Sequence, residues 1–213
     1  MKKRFIQVDC IEGKSIDKRQ ANAVLKYTPD VILLEYPADK IIDYPFNKYP
    51  ASKKPLKLVY QIQSNLKKNA KKTPWILSDI QVWENIIFQW NRGFNVRVYK
   101  IDGPSSLVGL KLFPKNFNGI PHHLKWWVRT YLREKLMKKN IEKVFKKNSE
   151  AKTFLVFLQN FHWQNVRFLL KNPTKEKIWK RYFGKFKIAP DGIEDEIYNN
   201  KVLLKFWRRY SGF

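Results

Sequence analysis

Four side chains that can do acid-base or metal chemistry follow predicted β-strands in this sequence: Glu12, Glu35, Asp102 and His162. Parallel strands gather their carboxyl ends at one edge of a sheet, and ligands bind in the crevice there. One imidazole nitrogen and two or three carboxylate oxygens can hold a divalent metal with an open position for water. The same groups can act as acid and base without a metal. We therefore predict these four residues as catalytic candidates, with Glu12, Glu35 and His162 as ligands of a divalent metal ion.

The same residues also have an ordinary structural interpretation. Asp and Glu often follow strands as helix caps or turn formers, and the Asp-Gly-Pro sequence at 102–104 is typical of a turn. Cys10 is the only cysteine, which excludes an intrachain disulfide, and we interpret it as a small buried apolar residue. His122 and His123 are adjacent, so at most one of them can face a given site. The absence of GxGxxG and GxxxxGK motifs argues against a Rossmann dehydrogenase and a P-loop ATPase.

The apolar pattern predicts the elements that would position the four candidates. Apolar runs without alternation at 31–34 and 154–158 are typical of parallel strands that are buried on both faces. The predicted strands are 4–8, 31–35, 94–101 and 153–158, and the predicted helices are 16–27, 78–90, 124–147, 163–170, 178–186 and 191–210. Strands that alternate with helices predict an α/β fold, a mostly parallel sheet with helices on both faces.

Length and apolar content fit one domain with additions. The chain has 213 residues, of which 44% are hydrophobic. We predict an α/β core over 1–170, a basic insertion at 36–77, and a basic helical extension at 171–213 packed on the core. No stretch approaches the ~18 apolar residues that a membrane span needs, and the first residues make a poor signal peptide, so we expect a cytoplasmic protein.

Positive charge is the strongest compositional signal. Lys and Arg number 43 against 18 Asp and Glu, a formal net charge of +25 at pH 7. The excess is clustered at 53–72, 125–147 and 167–187, which indicates a functional surface, and nucleic acid is the commonest partner of such a surface. Lysine enrichment through genome composition or heat adaptation is the alternative. Anionic lipid would use the same charge, but no long helix sets a clean apolar face against lysines.

Cations and aromatic rings are interleaved on the predicted helices, an arrangement that suits both phosphates and bases. Trp127 and Tyr131 also fit core positions, so their rings have two interpretations. The predicted nucleic-acid-binding residues are Lys125, Arg129, Arg133, Lys138, Lys139, Lys180, Arg181, Arg208 and Arg209.

Three segments, together 58 of the 213 residues, resemble TraB-like proteins, relatives of the Tiki metalloproteases. They are FIQVDCIEGKSIDKRQANAVLKYTPDVILLE at 5–35, GFNVRVYKID at 93–102, and FLVFLQNFHWQNVRFLL at 154–170. The resemblance implies two GxxH turns and a strand that ends in glutamate, which Glu35 matches. Glu12 stands where the first motif has its histidine, and Gln159 replaces the glycine of the second motif, which keeps His162. Asp9 likewise stands at the glycine position of the first motif. The loss of both glycines argues against retained peptidase activity, because glycine permits close backbone approach.

Two functions follow from these patterns. The first is a divergent, catalytically degenerate TraB-like protein whose basic surface binds nucleic acid, with RNA as the first candidate. The alternative is a metal-dependent hydrolase of a peptide or another small amide or ester, using Glu12, Glu35 and His162.

Overall fold

A computed structural model describes residues 3–9, 16–37, 85–86, 88–89, 92–110, 112 and 123–213 of the chain. Contacts divide the chain into two compact units. The described residues of the first unit lie within Met1–Glu35, Ile41–Lys100 and Lys147–Asn160. Those of the second lie within Tyr36–Lys40, Ile101–Lys146 and Phe161–Phe213. The predicted insertion at 36–77 lies almost entirely outside the described residues.

The described strands form one parallel sheet, which confirms the predicted α/β class. The strands are β1 (Arg4–Val8), β2 (Val31–Pro37), β3 (Arg97–Asp102) and β4 (Thr153–Phe157). Their order across the sheet is β1-β4-β2-β3. β1 and β2 are successive strands in the chain, joined through helix α1 (Ile16–Tyr27), but β4 lies between them and pairs with both.

The interior position of β4 explains its sequence. Phe154 lies opposite both Phe5 of β1 and Val31 of β2, so each strand edge of β4 is paired. The four residues from Phe154 to Phe157 are buried, as are the first three of β2. Strands covered on both faces need apolar side chains at every position, and this confirms the interpretation of the two non-alternating runs. Phe5, on the edge strand β1, is 38% exposed.

The first unit has its own apolar core between α1 and the sheet. Ala21 and Val24 of α1 pack with Ile32, Leu155 and Phe157. The turn between α1 and β2 also aligns β4, because the Asp30 carboxylate accepts hydrogen bonds from the backbone N–H groups of Lys152 and Thr153, both at 2.8 Å.

The second unit is helical beyond the end of β3. Its described helices are α2 (Ser105–Val108), α3 (Leu124–Lys147), α4 (Asn160–Leu170), α5 (Lys175–Tyr182), a 3₁₀ turn (Gly184–Phe186), α6 (Gly192–Ile197) and α7 (Lys201–Tyr210). Tyr131 lies at the centre of the core, with ring centroids 4.9 Å from Tyr182 and 5.5 Å from Phe183. Its hydroxyl donates to the Ser211 carbonyl at 2.6 Å, which ties the segment after α7 to α3.

Several boundaries differ from the prediction. The long basic helix begins and ends where the pattern placed it, but the predicted helix 191–210 is two helices, because the Asn200 side chain accepts from Leu203 N–H and starts α7 afresh. The strand predicted at 94–101 begins at Arg97 and ends at Asp102. Of the helix predicted at 78–90, residues 85–86 and 88–89 are described and are helical. The division into domains 1–170 and 171–213 stays a prediction.

Across the described ranges, no helix combines the length and the apolar character that crossing a membrane requires.

Candidate functional site

Two strand-end carboxylates of the first unit meet at the start of α4. Asp9 follows β1 and accepts from Asn160 N–H at 3.0 Å, and Glu35 at the end of β2 accepts from Gln159 N–H at 2.9 Å. Acceptors of this kind satisfy the free N–H groups of a helix start and favour its dipole. They explain why α4 begins at Asn160, three residues earlier than predicted. The sheet therefore does gather carboxylates at its rim, and the described groups there cap a helix.

The metal site stays a prediction. Glu12, Cys10 and His122 lie outside the described residues. Within the described part of the chain, no group of three or more His, Cys, Asp or Glu side chains could hold a metal ion.

Asp102 is part of a buried ion pair in the second unit. Its two carboxylate oxygens accept from Arg133, Oδ1 from Nε at 3.1 Å and Oδ2 from an Nη at 2.5 Å. Gly103 N–H donates to Oδ1 at 2.6 Å. Both charged side chains are almost fully buried. Arg133, predicted to contact nucleic acid, is thus directed inward, and a phosphate contact would have to break a bidentate pair in a site of low dielectric constant.

His162 is part of a second buried cluster, centred on Glu134 of α3. The Glu134 carboxylate accepts from His162 Nδ1 at 2.7 Å, from Asn165 Nδ2 at 3.1 Å and from the Tyr182 hydroxyl at 2.5 Å. Arg181 Nε donates to Asn165 Oδ1 at 2.8 Å, which extends the cluster toward the surface. We call Glu134, His162, Asn165 and Tyr182 the Glu134 cluster.

The Glu134 cluster holds the His162 ring in one orientation. A carboxylate on Nδ1 fixes the ring orientation of an imidazole, as it does in many acid-base and metal-binding histidines. Burial and the charge of Glu134 raise the pKa of Tyr182 well above its ordinary value, so its hydroxyl stays protonated and donates at neutral pH. Glu134 was not among the site residues predicted from the sequence. The available signal was an acid within a stretch of α3 that is otherwise apolar or basic.

The basic residues predicted to bind nucleic acid lie on α3, α5 and α7. Lys139, Lys180, Arg181, Arg208 and Arg209 are exposed, whereas Lys125, Arg129 and Lys138 are partly buried. Lys139 of α3 and Arg209 of α7 both lie near the ring of Tyr210, at 5.5 and 5.3 Å from its centroid. Two helices therefore place cations around the same ring.

Other contacts of the basic residues are local. Lys138 pairs with Glu142 at 3.2 Å and Arg208 with Glu194 at 3.1 Å. Arg129 donates to the Leu110 carbonyl at 2.6 Å.

Two basic residues of α3 have lowered pKa values, chiefly because they are partly buried. Burial, followed by the charges of Lys138 and Lys175, lowers the pKa of Lys135 to about 8. Burial and the charge of Arg133 lower the pKa of Arg129 to about 10, against a smaller opposing effect of Asp102. Burial is the largest cause of both shifts, and the neighbouring cations add a smaller effect of the same sign.

A cluster of aromatic rings lies where α3 and α4 begin. The Phe161 ring centroid is 5.9 Å from that of Trp126 and 5.8 Å from that of Trp127. Lys185 Nζ lies 3.6 Å from the centroid of the Trp127 ring, within cation–π distance. We call Trp126, Trp127 and Phe161 the aromatic cluster.

The fold and these sites define an α/β protein with a basic helical unit. No family model, no curated protein and no solved structure matches the chain.

Proposed function

We propose that this protein binds nucleic acid, with RNA as the first candidate, through the basic surface formed by α3, α5 and α7. The proposal is carried by the exposed cations that α3, α5 and α7 supply, together with the burial of two acids of the same unit. Exposed cations come from all three helices, while Asp102 and Glu134 are buried in internal contacts. A polyanion that approaches these helices therefore meets exposed cations that Asp102 and Glu134 do not neutralise.

The physical gain from such a surface is counterion release. Each phosphate that a Lys or Arg neutralises frees condensed cations, so the logarithm of the binding constant falls with the logarithm of salt by about 0.7 per contact for single strands and about 0.9 for duplex DNA. Lys139 and Arg209, which lie near the same ring, are the pair most suited to one phosphate or to adjacent phosphates.

The family and the location belong to the same proposal. The resemblance to TraB-like proteins is supported by a strand, a short turn and a helix over 153–170 with His162 in the first turn of the helix. His162 is hydrogen-bonded to Glu134, and this contact favours a catalytically degenerate member of the TraB-like family. We also propose a cytoplasmic location, where a protein of this kind would meet RNA.

The test compares two triple variants that remove the same amount of charge. Lys139→Ala/Lys180→Ala/Arg209→Ala removes three exposed cations of the second unit. The matched control, Arg19→Ala/Lys26→Ala/Lys152→Ala, removes three exposed cations of the first unit. Affinity for a short RNA is measured by fluorescence anisotropy between about 50 and 200 mM salt, the range in which phosphate contacts weaken steeply.

We expect the wild-type slope to be strongly negative. In the first triple variant it should become less negative by about 0.7 for each phosphate that is no longer neutralised. The control variant should retain the wild-type slope. A wild-type affinity that does not change with salt, or equal weakening in the two variants, would contradict binding by this surface.

The hydrolase alternative depends on Glu12, which lies outside the described residues. Stoichiometric metal in the purified protein that is absent from His162→Ala would favour that alternative.

A further inference from the structure

The aromatic cluster exposes one flat ring beside two others. Phe161 lies in the first turn of α4 and is 40% exposed, although it is a large apolar side chain. Trp126 and Trp127, in the first turn of α3, are partly buried and support it from one side. Their own rings meet edge to face at 5.1 Å, which fixes the platform on which Phe161 rests.

One cation lies on this ring platform, and a second is next to it in the sequence. Lys185 lies over the Trp127 ring, and its partial burial there lowers the pKa of its ammonium group. Lys125 precedes Trp126, and its charge adds to burial in lowering the pKa of His123. His123 in turn accepts from Trp126 N–H through Nδ1 at 3.1 Å, which holds the start of α3 in place. The platform therefore combines a hydrogen-bonded helix start with a cation on one of its rings.

From this arrangement we propose that the aromatic cluster is a stacking site for one unpaired base of single-stranded nucleic acid. The base would lie on the exposed face of Phe161, and Lys185 and Lys125 would neutralise the flanking phosphates. Every base has a π-face, so this contact tolerates any sequence, but a duplex hides those faces between neighbouring pairs. The inference rests on the proposed function, because it names the form of nucleic acid that the basic surface would take.

The chemistry of the site favours a base over an apolar protein surface. Protein docking through apolar contact uses contiguous patches of several hundred Å². Here a single exposed ring lies beside Trp127, which carries Lys185 over its ring, and rings interleaved with cations are the usual composition of single-strand binding surfaces.

The experiment measures affinity for a single-stranded RNA and for a duplex of the same length at one salt concentration. Phe161→Leu keeps much of the apolar volume and removes the π-face, whereas Phe161→Trp keeps the π-face. Phe5→Leu is the matched control, because Phe5 is 38% exposed and lies in the first unit. Stacking on one ring supplies about tenfold or more in affinity.

We expect Phe161→Leu to weaken single-strand binding about tenfold and to keep the duplex affinity, while Phe161→Trp and Phe5→Leu retain both. A strand with 2-aminopurine gives a second readout. Its fluorescence at saturating protein should be quenched by the wild type and recover in Phe161→Leu. If Phe161→Leu weakened binding to the single strand and the duplex alike, or to neither of them, the stacking site would be overturned and the basic surface would stand. A wild-type protein that binds neither form would instead refute the proposed function.

Discussion

Removing the Glu134 carboxylate should destabilise the second unit strongly, because three buried donors depend on it. Glu134 is fully buried and accepts from His162, Asn165 and Tyr182. In Glu134→Ala each donor is left without this acceptor, at about 1 to 3 kcal/mol for a buried polar group. Water entering the space would recover part of that cost. We therefore expect the free energy of unfolding to fall by about 3 to 5 kcal/mol, a large fraction of the stability of an ordinary domain.

Glu134→Gln separates hydrogen bonding from the remaining effects. The glutamine oxygen can still accept from His162 and Asn165, and its amide can donate to Tyr182 if the phenol hydroxyl reverses its role. Only the extra strength of bonds to a charged acceptor disappears, so we expect a cost of about 1 to 2 kcal/mol. Glu142→Gln is the control on the same helix. Its side chain is 40% exposed and pairs with Lys138 one turn earlier, so its change should be about 0.5 kcal/mol or less.

The assay is urea unfolding followed by tryptophan fluorescence and by circular dichroism, with the three variants measured in parallel. The order of cost should be Glu134→Ala, then Glu134→Gln, then Glu142→Gln. If Glu134→Ala changed the unfolding free energy by less than about 1 kcal/mol, the donors of the cluster would not depend on this carboxylate and the reasoning would be refuted.

Three further predictions use the same unfolding assay. Asp102→Ala should cost about 3 to 5 kcal/mol by leaving Arg133 buried without its anion, and Asp102→Leu/Arg133→Met should recover much of that cost. Lys135 holds its proton less tightly in the folded chain, where its pKa is about 8 against an ordinary value of 10.5. Its burial therefore lowers the free energy of unfolding below pH 8, and this cost fades as pH rises toward 10.5. The stability of the wild type relative to Lys135→Met should therefore increase as pH rises through this interval, and a constant difference would contradict this. Arg208→Ala should cost about 0.5 kcal/mol or less, because its pair with Glu194 is exposed.

The sheet and the long helix were predictable because their causes are local in the sequence. A run such as 154–158, which is apolar at every position, suits a strand that is covered on both faces of the sheet. β4 is such a strand, with an interior place in the sheet order. The strand order was not predictable in the same way. β1 and β2 are successive strands, yet β4, which comes much later in the chain, pairs with both, and no local pattern encodes such a long-range choice.

The site residues were likewise only partly predictable from the sequence. Strand-end acids were expected to share a rim, and Asp9 and Glu35 do contact consecutive peptide groups at the start of α4. The partners of Asp102 and His162 were not predictable, because Arg133 and Glu134 belong to a helix whose charged residues were expected to face solvent. A helix buried on nearly all sides over part of its length has no single polar face, so a periodic pattern cannot assign each charge.

The inward contacts of α3 bear directly on its outer surface. The helix carries nine basic residues and two acids, and Glu134, one of those acids, is fully buried against His162. Arg133 is paired internally with Asp102, which leaves eight cations against Glu142 on the rest of the helix. Burial of Arg133 and Glu134 removes one charge of each sign, so the rest of the helix keeps the net charge of +7 that its composition gives, eight basic residues against one acid. If the Glu134 cluster serves mainly to fix the packing of α3, α4 and α5, then Glu134→Gln should leave RNA affinity at wild-type values while it lowers stability. Such a result would separate the internal network from the binding surface.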